Sequence, residues 1–207
     1  MSKIREHKNQ IIVCLSIVIA LFICYLIGQK VVLPIRMEKS GYLSVDGEVP
    51  KYSIMEHFNE FEIGGQQPAD VPGSLNISML TLTTENSDFS EDFLGTSIFM
   101  LPNTSISNEM KIKHSYNELS FLYGISPNIT TDVSDGAEVV VSAYENDSET
   151  PIFQEVVEVQ PEQGFHVARI SLDSIKGKKV RFVISCAPGE NDNEDGDWVM
   201  IKNPSIN

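Results

Sequence analysis

The segment KVRFVISC, residues 179–186, has an apolar side chain at every second position from Val180 to Cys186. Arg181 and Ser185 fall on the opposite side of the same segment. A period of two residues is that of a β-strand with one face in a core and the other face in solvent. The segment therefore predicts a strand whose apolar face helps to fill a core.

Short runs of similar β-type character follow one another through the rest of the chain. They occur at residues 75–83, 95–101, 110–114, 118–123, 137–144, 152–159, 165–172 and 197–201. Strands that recur about every 10 to 15 residues, without helical patterns between them, are typical of an antiparallel sandwich. We therefore expect an all-β fold over residues 51–207, with at most a short helix at 53–62.

The N-terminal region has a different character, because residues 11–27 read IIVCLSIVIALFICYLI and contain no charge. Seventeen residues of helix span about 26 Å, which approaches the bilayer's hydrocarbon thickness of about 30 Å. This run predicts an uncleaved transmembrane signal anchor at residues 11–28, with the lipid bilayer as its partner. It leaves a short basic cytoplasmic tail at 1–10 and a stalk or linker at 29–50.

The charges on either side of the apolar run nearly balance, so they do not decide the orientation. Signal anchors commonly translocate the chain that follows them. We therefore expect a single-pass protein of the cell membrane, with its C-terminal domain on the extracytoplasmic side.

The domain itself is strongly acidic. Residues 41–207 contain nine Lys and Arg against 27 Asp and Glu, a net charge of −18. Such a surface repels nucleic acid and anionic lipid, and it suits neutral ligands or cations. We expect no nucleic-acid partner.

The chain also lacks the short motifs of common catalytic sites. It contains no G-x-S-x-G, H-E-x-x-H, C-x-x-C or phosphate-binding glycine loop, and its four histidines are scattered. We expect a protein that is not an enzyme.

One loop is dense in hard oxygen ligands. Residues 187–197 read APGENDNEDGD, and Glu190, Asp192, Asp195 and Asp197 are candidate ligands for a structural Ca²⁺. The EF-hand pattern fails, because its last ligand position falls on Lys202. The alternative is an exposed acidic loop without a metal, and no other cofactor is indicated.

Three stretches of the C-terminal hundred residues resemble a known superfamily. They are LSFLYGI at 119–125 with SDGAEV at 134–139, SLDSIKGKKVRF at 171–182, and DWVMIKNP at 197–204. This pattern resembles the galactose-binding-like jelly-roll superfamily, and especially the carbohydrate-binding modules of cell-surface glycosidases. The resemblance implies a jelly-roll β-sandwich that binds carbohydrate or an envelope polymer.

Sugar-binding proteins use aromatic platforms flanked by polar groups. The candidate ligand-binding residues here are Tyr116, Tyr123, Tyr144, Phe165, His166 and Trp198. For Trp198, packing into the rim of the sandwich is the alternative to stacking on a sugar. The alternative function is that of a non-catalytic structural or partner-binding subunit, held beside another membrane protein.

Overall fold

A computed structural model describes residues 2–28, 42–65, 78–82, 95–127, 133–146, 148–162, 164–189 and 191–207. Helix α1 spans Ser2–Ile27, and two short 3-10 turns lie at Phe58–Glu60 and Asp173–Ile175. The strands are β1 Tyr52–Ser53, β2 Glu62–Gly65, β3 Ser78–Leu82, β4 Gly95–Met100, β5 Thr104–Lys111, β6 Glu118–Ile125, β7 Ala137–Tyr144, β8 Phe153–Val159, β9 His166–Ser171, β10 Lys179–Pro188 and β11 Val199–Ile206.

The strands form two antiparallel sheets. One has the order β3-β4-β11-β6-β9, with β1 also paired to β11, and the other has the order β2-β5-β10-β7-β8. Every observed pairing is antiparallel. The prediction of an all-β antiparallel sandwich is confirmed. Strands β8 and β9, which are consecutive in the chain, are edge strands of the two different sheets.

The core lies between the two sheets and follows the two-residue period of the sequence. In β10, Val180, Phe182, Ile184 and Cys186 are all buried, and Arg181 is exposed. Phe121 on β6 joins the same core from the other sheet. Alternate burial along facing strands is what joins the two sheets into one domain.

Helix α1 covers the apolar run, and the structure describes its side chains from Leu15 onward. Within the part of the chain that the structure describes, no helix combines the length and hydropathy of a membrane span. The transmembrane anchor therefore stays a prediction.

The end of the predicted linker lies against the sandwich. Leu43 and Ser44 are buried. Arg169 on β9 donates to both carboxylate oxygens of Asp46, at 2.6 and 3.2 Å, and to Glu118 at 2.9 Å. Contacts with the domain therefore occur within the segment from Tyr42 onward, and the predicted boundary at residue 50 stays a prediction.

Candidate functional site

Two predicted aromatic residues meet at the edge of the sandwich where β8 and β9 lie. Tyr123 on β6 is the register partner of His166 on β9. Their ring centroids are 5.8 Å apart, with an angle of 40° between the planes. Tyr123 is half-buried and His166 is exposed, so the pair presents aromatic surface to solvent.

A third predicted residue, Phe165, precedes His166 on the segment that enters β9, but its ring lies beside Gly124 and Lys202, on the opposite face of the sheet from the pair. The segment passes so close to β6 that a Cβ on Gly124 would collide with the carbonyl oxygen of Gly164. Gly124 therefore has to be glycine. The Phe165 ring also lies 3.6 Å from the position that a Cβ on Gly124 would take. The missing side chain therefore leaves space next to this ring. Lys202 on β11 places its Nζ 5.8 Å from the centre of that ring.

Carboxylates surround the aromatic pair. Glu162 Oε1 lies 2.9 Å from His166 Nε2. Burial raises the pKa of Tyr123, and the charges of Glu158 and Glu162 raise it further. The Tyr123 phenol therefore stays protonated and can both donate and accept a hydrogen bond. We call Tyr123, His166, Glu158 and Glu162 the edge cluster.

A cavity of about 360 Å³ adjoins the edge cluster and shares Glu158 with it. Its lining consists of Asp135, Gly136, Ala137, Glu138, Glu158, Val159, Gln160 and Gly189. Gly136 has a φ of 105°, and a Cβ there would lie 2.8 Å from the carbonyl oxygen of Val159. Only glycine suits this turn, because residues with a side chain rarely adopt such a φ and because there is no room for a Cβ beside Val159.

A buried carboxylate lies behind the cavity. Asp197 is fully buried, and its Oδ1 accepts a hydrogen bond of 2.6 Å from the Ser134 hydroxyl. The backbone N–H of Gly136 donates to the oxygen of the same Ser134 hydroxyl at 3.1 Å. Burial raises the pKa of Asp197, the Ser134 hydrogen bond opposes that rise, and the charge of Asp135 adds to it.

The other candidate aromatic residues lie elsewhere. Tyr116 is buried, and its ring centroid lies 6.4 Å from that of Tyr52. Tyr144 lies on the outer face of the other sheet, with the Arg181 guanidinium 4.5 Å from its ring centre. Trp198 makes an edge contact with Phe99 at 5.8 Å. The structure thus brings together two of the six predicted residues, Tyr123 and His166.

The candidate calcium ligands are not brought together in the described residues. Asp192 and Asp195 are exposed on the loop, Asp197 is turned inward to Ser134, and Glu190 lies outside the described residues. Nowhere in the described ranges do three or more His, Cys, Asp or Glu side chains converge on one point. The described part of the chain therefore gives the predicted calcium site no support.

The sequence alone does not identify the carboxylates of the edge cluster as site residues. Glu158 and Glu162 look like many other acidic residues of the domain, and no local motif marks them. Asp135 and Gly136 belong to the stretch SDGAEV that carries the sequence resemblance, but their place in a cavity depends on β8 and on Gly189, which are distant in sequence.

The chain matches no family model and no curated protein. Among the similar solved structures is a family 61 carbohydrate-binding module in complex with β-1,4-galactotriose. Its TM-score is 0.45 at 12% identity, over 72% of this chain and 89% of that chain. A family 51 module from Clostridium perfringens, in complex with methyl-galactose, has a TM-score of 0.42 at 13% identity, over 70% and 88%.

A family 11 module of a cellulosomal cellulase of Clostridium thermocellum has a TM-score of 0.41 at 8% identity, over 71% of this chain and 86% of that chain. These three solved structures are carbohydrate-binding modules, the class that the sequence resemblance names.

Proposed function

We propose that this protein is a non-catalytic carbohydrate-binding module whose site is the edge cluster with its adjoining cavity. The observation that carries the proposal is the convergence of the Tyr123 and His166 rings with Glu158 and Glu162 beside an open cavity of about 360 Å³. That volume lies within the range of about 300 to 1,000 Å³ that is usual for small-molecule sites.

The chemistry of such an edge suits a sugar ring. The C–H face of a pyranose packs on an aromatic ring, and its hydroxyl groups require hydrogen-bond acceptors and donors at the ring's periphery. Here Tyr123 and His166 offer the aromatic surface. Glu158, Glu162 and Gln160 offer acceptors on one side, and the Tyr123 hydroxyl adds a donor.

A glycan array probed with the full chain in detergent micelles tests this proposal. We expect binding to a limited set of uncharged or positively charged oligosaccharides, β-1,4-galactotriose being one of the probes, and no binding to nucleic acid or to sulfated glycans. An array that stays blank would remove the carbohydrate proposal. It would leave a structural or partner-binding subunit as the function to test.

We also propose that residues 11–28 anchor this domain in the cell membrane, with the domain outside. The support is that α1 presents apolar side chains all along its described part: Leu15 is 60% exposed, Leu21 65% and Phe22 60%. Exposed apolar surface on a continuous helix is stabilised by lipid rather than by water.

Fractionation of cells that express the full chain tests the anchor. We expect the protein to stay with membranes after a carbonate wash, and protease added to intact cells to remove the domain. The double variant Ile17→Lys, Leu21→Lys should release it, because each lysine costs about 3 kcal/mol at the centre of a membrane helix. Release of the unmodified chain by the wash would contradict the anchor.

A further inference from the structure

We propose that a basic patch at one end of the sandwich contacts the anionic lipid headgroups of the membrane, so that the edge cluster faces away from the bilayer. This inference rests on the proposed membrane anchor and goes beyond it, because it assigns a second contact with the membrane and an orientation to the domain. It is carried by a separation of charge, by lysines without ion pairs, and by the place where the chain enters the domain.

The patch is built on two loops that lie side by side. Residues 112–117 connect β5 to β6, and residues 172–178 connect β9 to β10. The N–H of Ile112 donates to the carbonyl oxygen of Lys178 at 2.9 Å, and the N–H of Gly177 donates to that of Ile112 at 2.7 Å. The basic patch consists of the lysines on these loops, at the adjoining strand ends and just before β1: Lys51, Lys111, Lys113, Lys176, Lys178 and Lys179.

The charges of the domain are unevenly distributed. Six of the nine Lys and Arg of residues 41–207 belong to the patch, and its two loops contain one acidic residue, Asp173, which pairs with Lys176 at 2.6 Å. The acidic turn between β7 and β8 borders the patch, and its Glu145 pairs with Lys178 at 3.2 Å. The net charge predicts that the domain as a whole repels anionic lipid, but this end carries the opposite charge.

Two lysines of the patch lie opposite each other on the sheet. Lys111 on β5 and Lys179 on β10 are register partners, and both are exposed. Like charges directly opposite each other on one sheet face are destabilising. Glu109 lies 3.9 Å from Lys179, and Lys111 has no ion-pair partner in the described ranges. An anionic surface would compensate both charges.

Two further patch lysines also lack a carboxylate partner among the described residues. Lys51 Nζ donates to the carbonyl oxygen of Ser115 at 2.7 Å, so it is held against the loop of residues 112–117. Lys113 Nζ lies 5.3 Å from the centre of the Tyr116 ring. Each of these lysines is exposed, and its charge is open to an external anion.

The chain enters the domain at this same end. Arg169, near the end of β9, binds Asp46, and β1 pairs with the last residues of β11, Ser205 and Ile206. The N–H of Asn207, the next residue, donates to the carbonyl oxygen of Glu118, where β6 begins beside the patch. The part of the domain that is nearest to α1 along the chain is therefore the end that carries the patch.

The segment between α1 and the domain limits the distance of the patch from the membrane. Residues 28–41 span at most about 50 Å even when fully extended. In sequence they are basic, with Lys30, Arg36 and Lys39 against Glu38. Lysines near an anionic bilayer are attracted to it over roughly 8 to 10 Å, so a tether of this length brings the patch within reach of its partner.

This contact would determine where the edge cluster lies. β9 runs from His166, in the edge cluster, to Ser171, next to the patch. Five residues of strand span about 17 Å. With the patch on the headgroups, Tyr123 and His166 therefore lie farther from the bilayer and open toward the surroundings, where a glycan can reach them.

Nuclear magnetic resonance of the full chain in nanodiscs tests the inference, with isotope label in histidine and a nitroxide on a lipid headgroup. His114 reports on the patch, because its ring lies 2.8 Å from the position of a Cβ on Gly177, and His166 reports on the edge cluster. In nanodiscs that contain phosphatidylglycerol, we expect the nitroxide to relax His114 at least about threefold faster than His166. In phosphatidylcholine alone, or at about 1 M salt, where the screening length is about 3 Å, the two should relax about equally.

A pair of variants locates the effect. Lys111→Glu should bring the relaxation rates of the two histidines close together. It should leave the fold intact, because it places an opposite charge across from Lys179. Lys202→Glu is the control, because it changes the net charge equally at a position on β11 that lies outside the patch. It should leave the difference between the two histidines unchanged, and melting temperatures verify that both variants are folded.

The outcomes separate this inference from the anchor on which it rests. Equal relaxation of the two histidines beside phosphatidylglycerol, or a difference that Lys202→Glu reduces as much as Lys111→Glu, overturns the inference and leaves the anchor standing. A chain that separates from the nanodiscs on gel filtration overturns both. If soluble polyphosphate shifts the His114 signals and phosphatidylglycerol has no effect, the patch is assigned to an anionic polymer, and the inference is overturned.

Discussion

Phe182→Ala is expected to lower the free energy of unfolding by about 3 to 5 kcal/mol. Phe182 is fully buried at the centre of β10, the middle strand of its sheet, and belongs to the core that contains Phe121 of the other sheet. Truncation removes apolar surface from the core and leaves a cavity that strands fixed on both sides of β10 cannot close.

Urea unfolding of the full chain, followed by circular dichroism in the β-sheet region, measures the loss. Val156→Ala is the matched control, because Val156 is 46% exposed on edge strand β8, and it should change the free energy of unfolding by less than about 1 kcal/mol. Equal effects of the two substitutions would show that β10 does not lie at the centre of a shared core.

Tyr123→Ala is expected to weaken oligosaccharide binding by about 10- to 100-fold while the domain remains folded. Tyr123 is half-buried and supplies both the ring that pairs with His166 and a hydroxyl group near Glu158 and Glu162. Tyr123→Phe retains the ring and should therefore cost less, about fivefold, through the lost hydrogen bond.

Titration of both variants with the best oligosaccharide from the array measures these losses. Tyr144→Ala is the control, since Tyr144 packs under Arg181 on the outer face of the other sheet. It should leave affinity unchanged. A larger loss for Tyr144→Ala than for Tyr123→Ala would place the site on that sheet face and contradict the edge cluster.

The strands that the sequence predicts best are those whose core-facing side chains are all apolar. β7 is observed at Ala137–Tyr144, the predicted bounds, and β10 begins at the predicted Lys179. β5 is the counterexample, because the prediction of 110–114 misses most of Thr104–Lys111. Its outward positions are polar or charged, and Asn108 interrupts its inward positions, so the apolar alternation is broken within the strand.

The sequence predicts which aromatic residues belong to the candidate site, but it does not predict which of them lie next to one another. Tyr123 and His166 become neighbours only because β6 pairs with β9 in one register, and a one-residue shift would separate them. Tyr116 was predicted as a ligand-binding residue but is buried. It lies in a loop between strands and packs inward beside Tyr52. Likewise, Asp46 joins the domain through Arg169, a contact between residues far apart in the chain.

The most direct test of the edge cluster uses the histidines, of which the chain has four. Nuclear magnetic resonance of the full chain in nanodiscs, with isotope label in histidine alone, resolves each ring. Saturation with the bound oligosaccharide should shift the signals of His166 and leave those of His57 and His114 in place. Saturable binding that leaves His166 unmoved and shifts His57 would place the ligand beside Tyr52 and contradict the account.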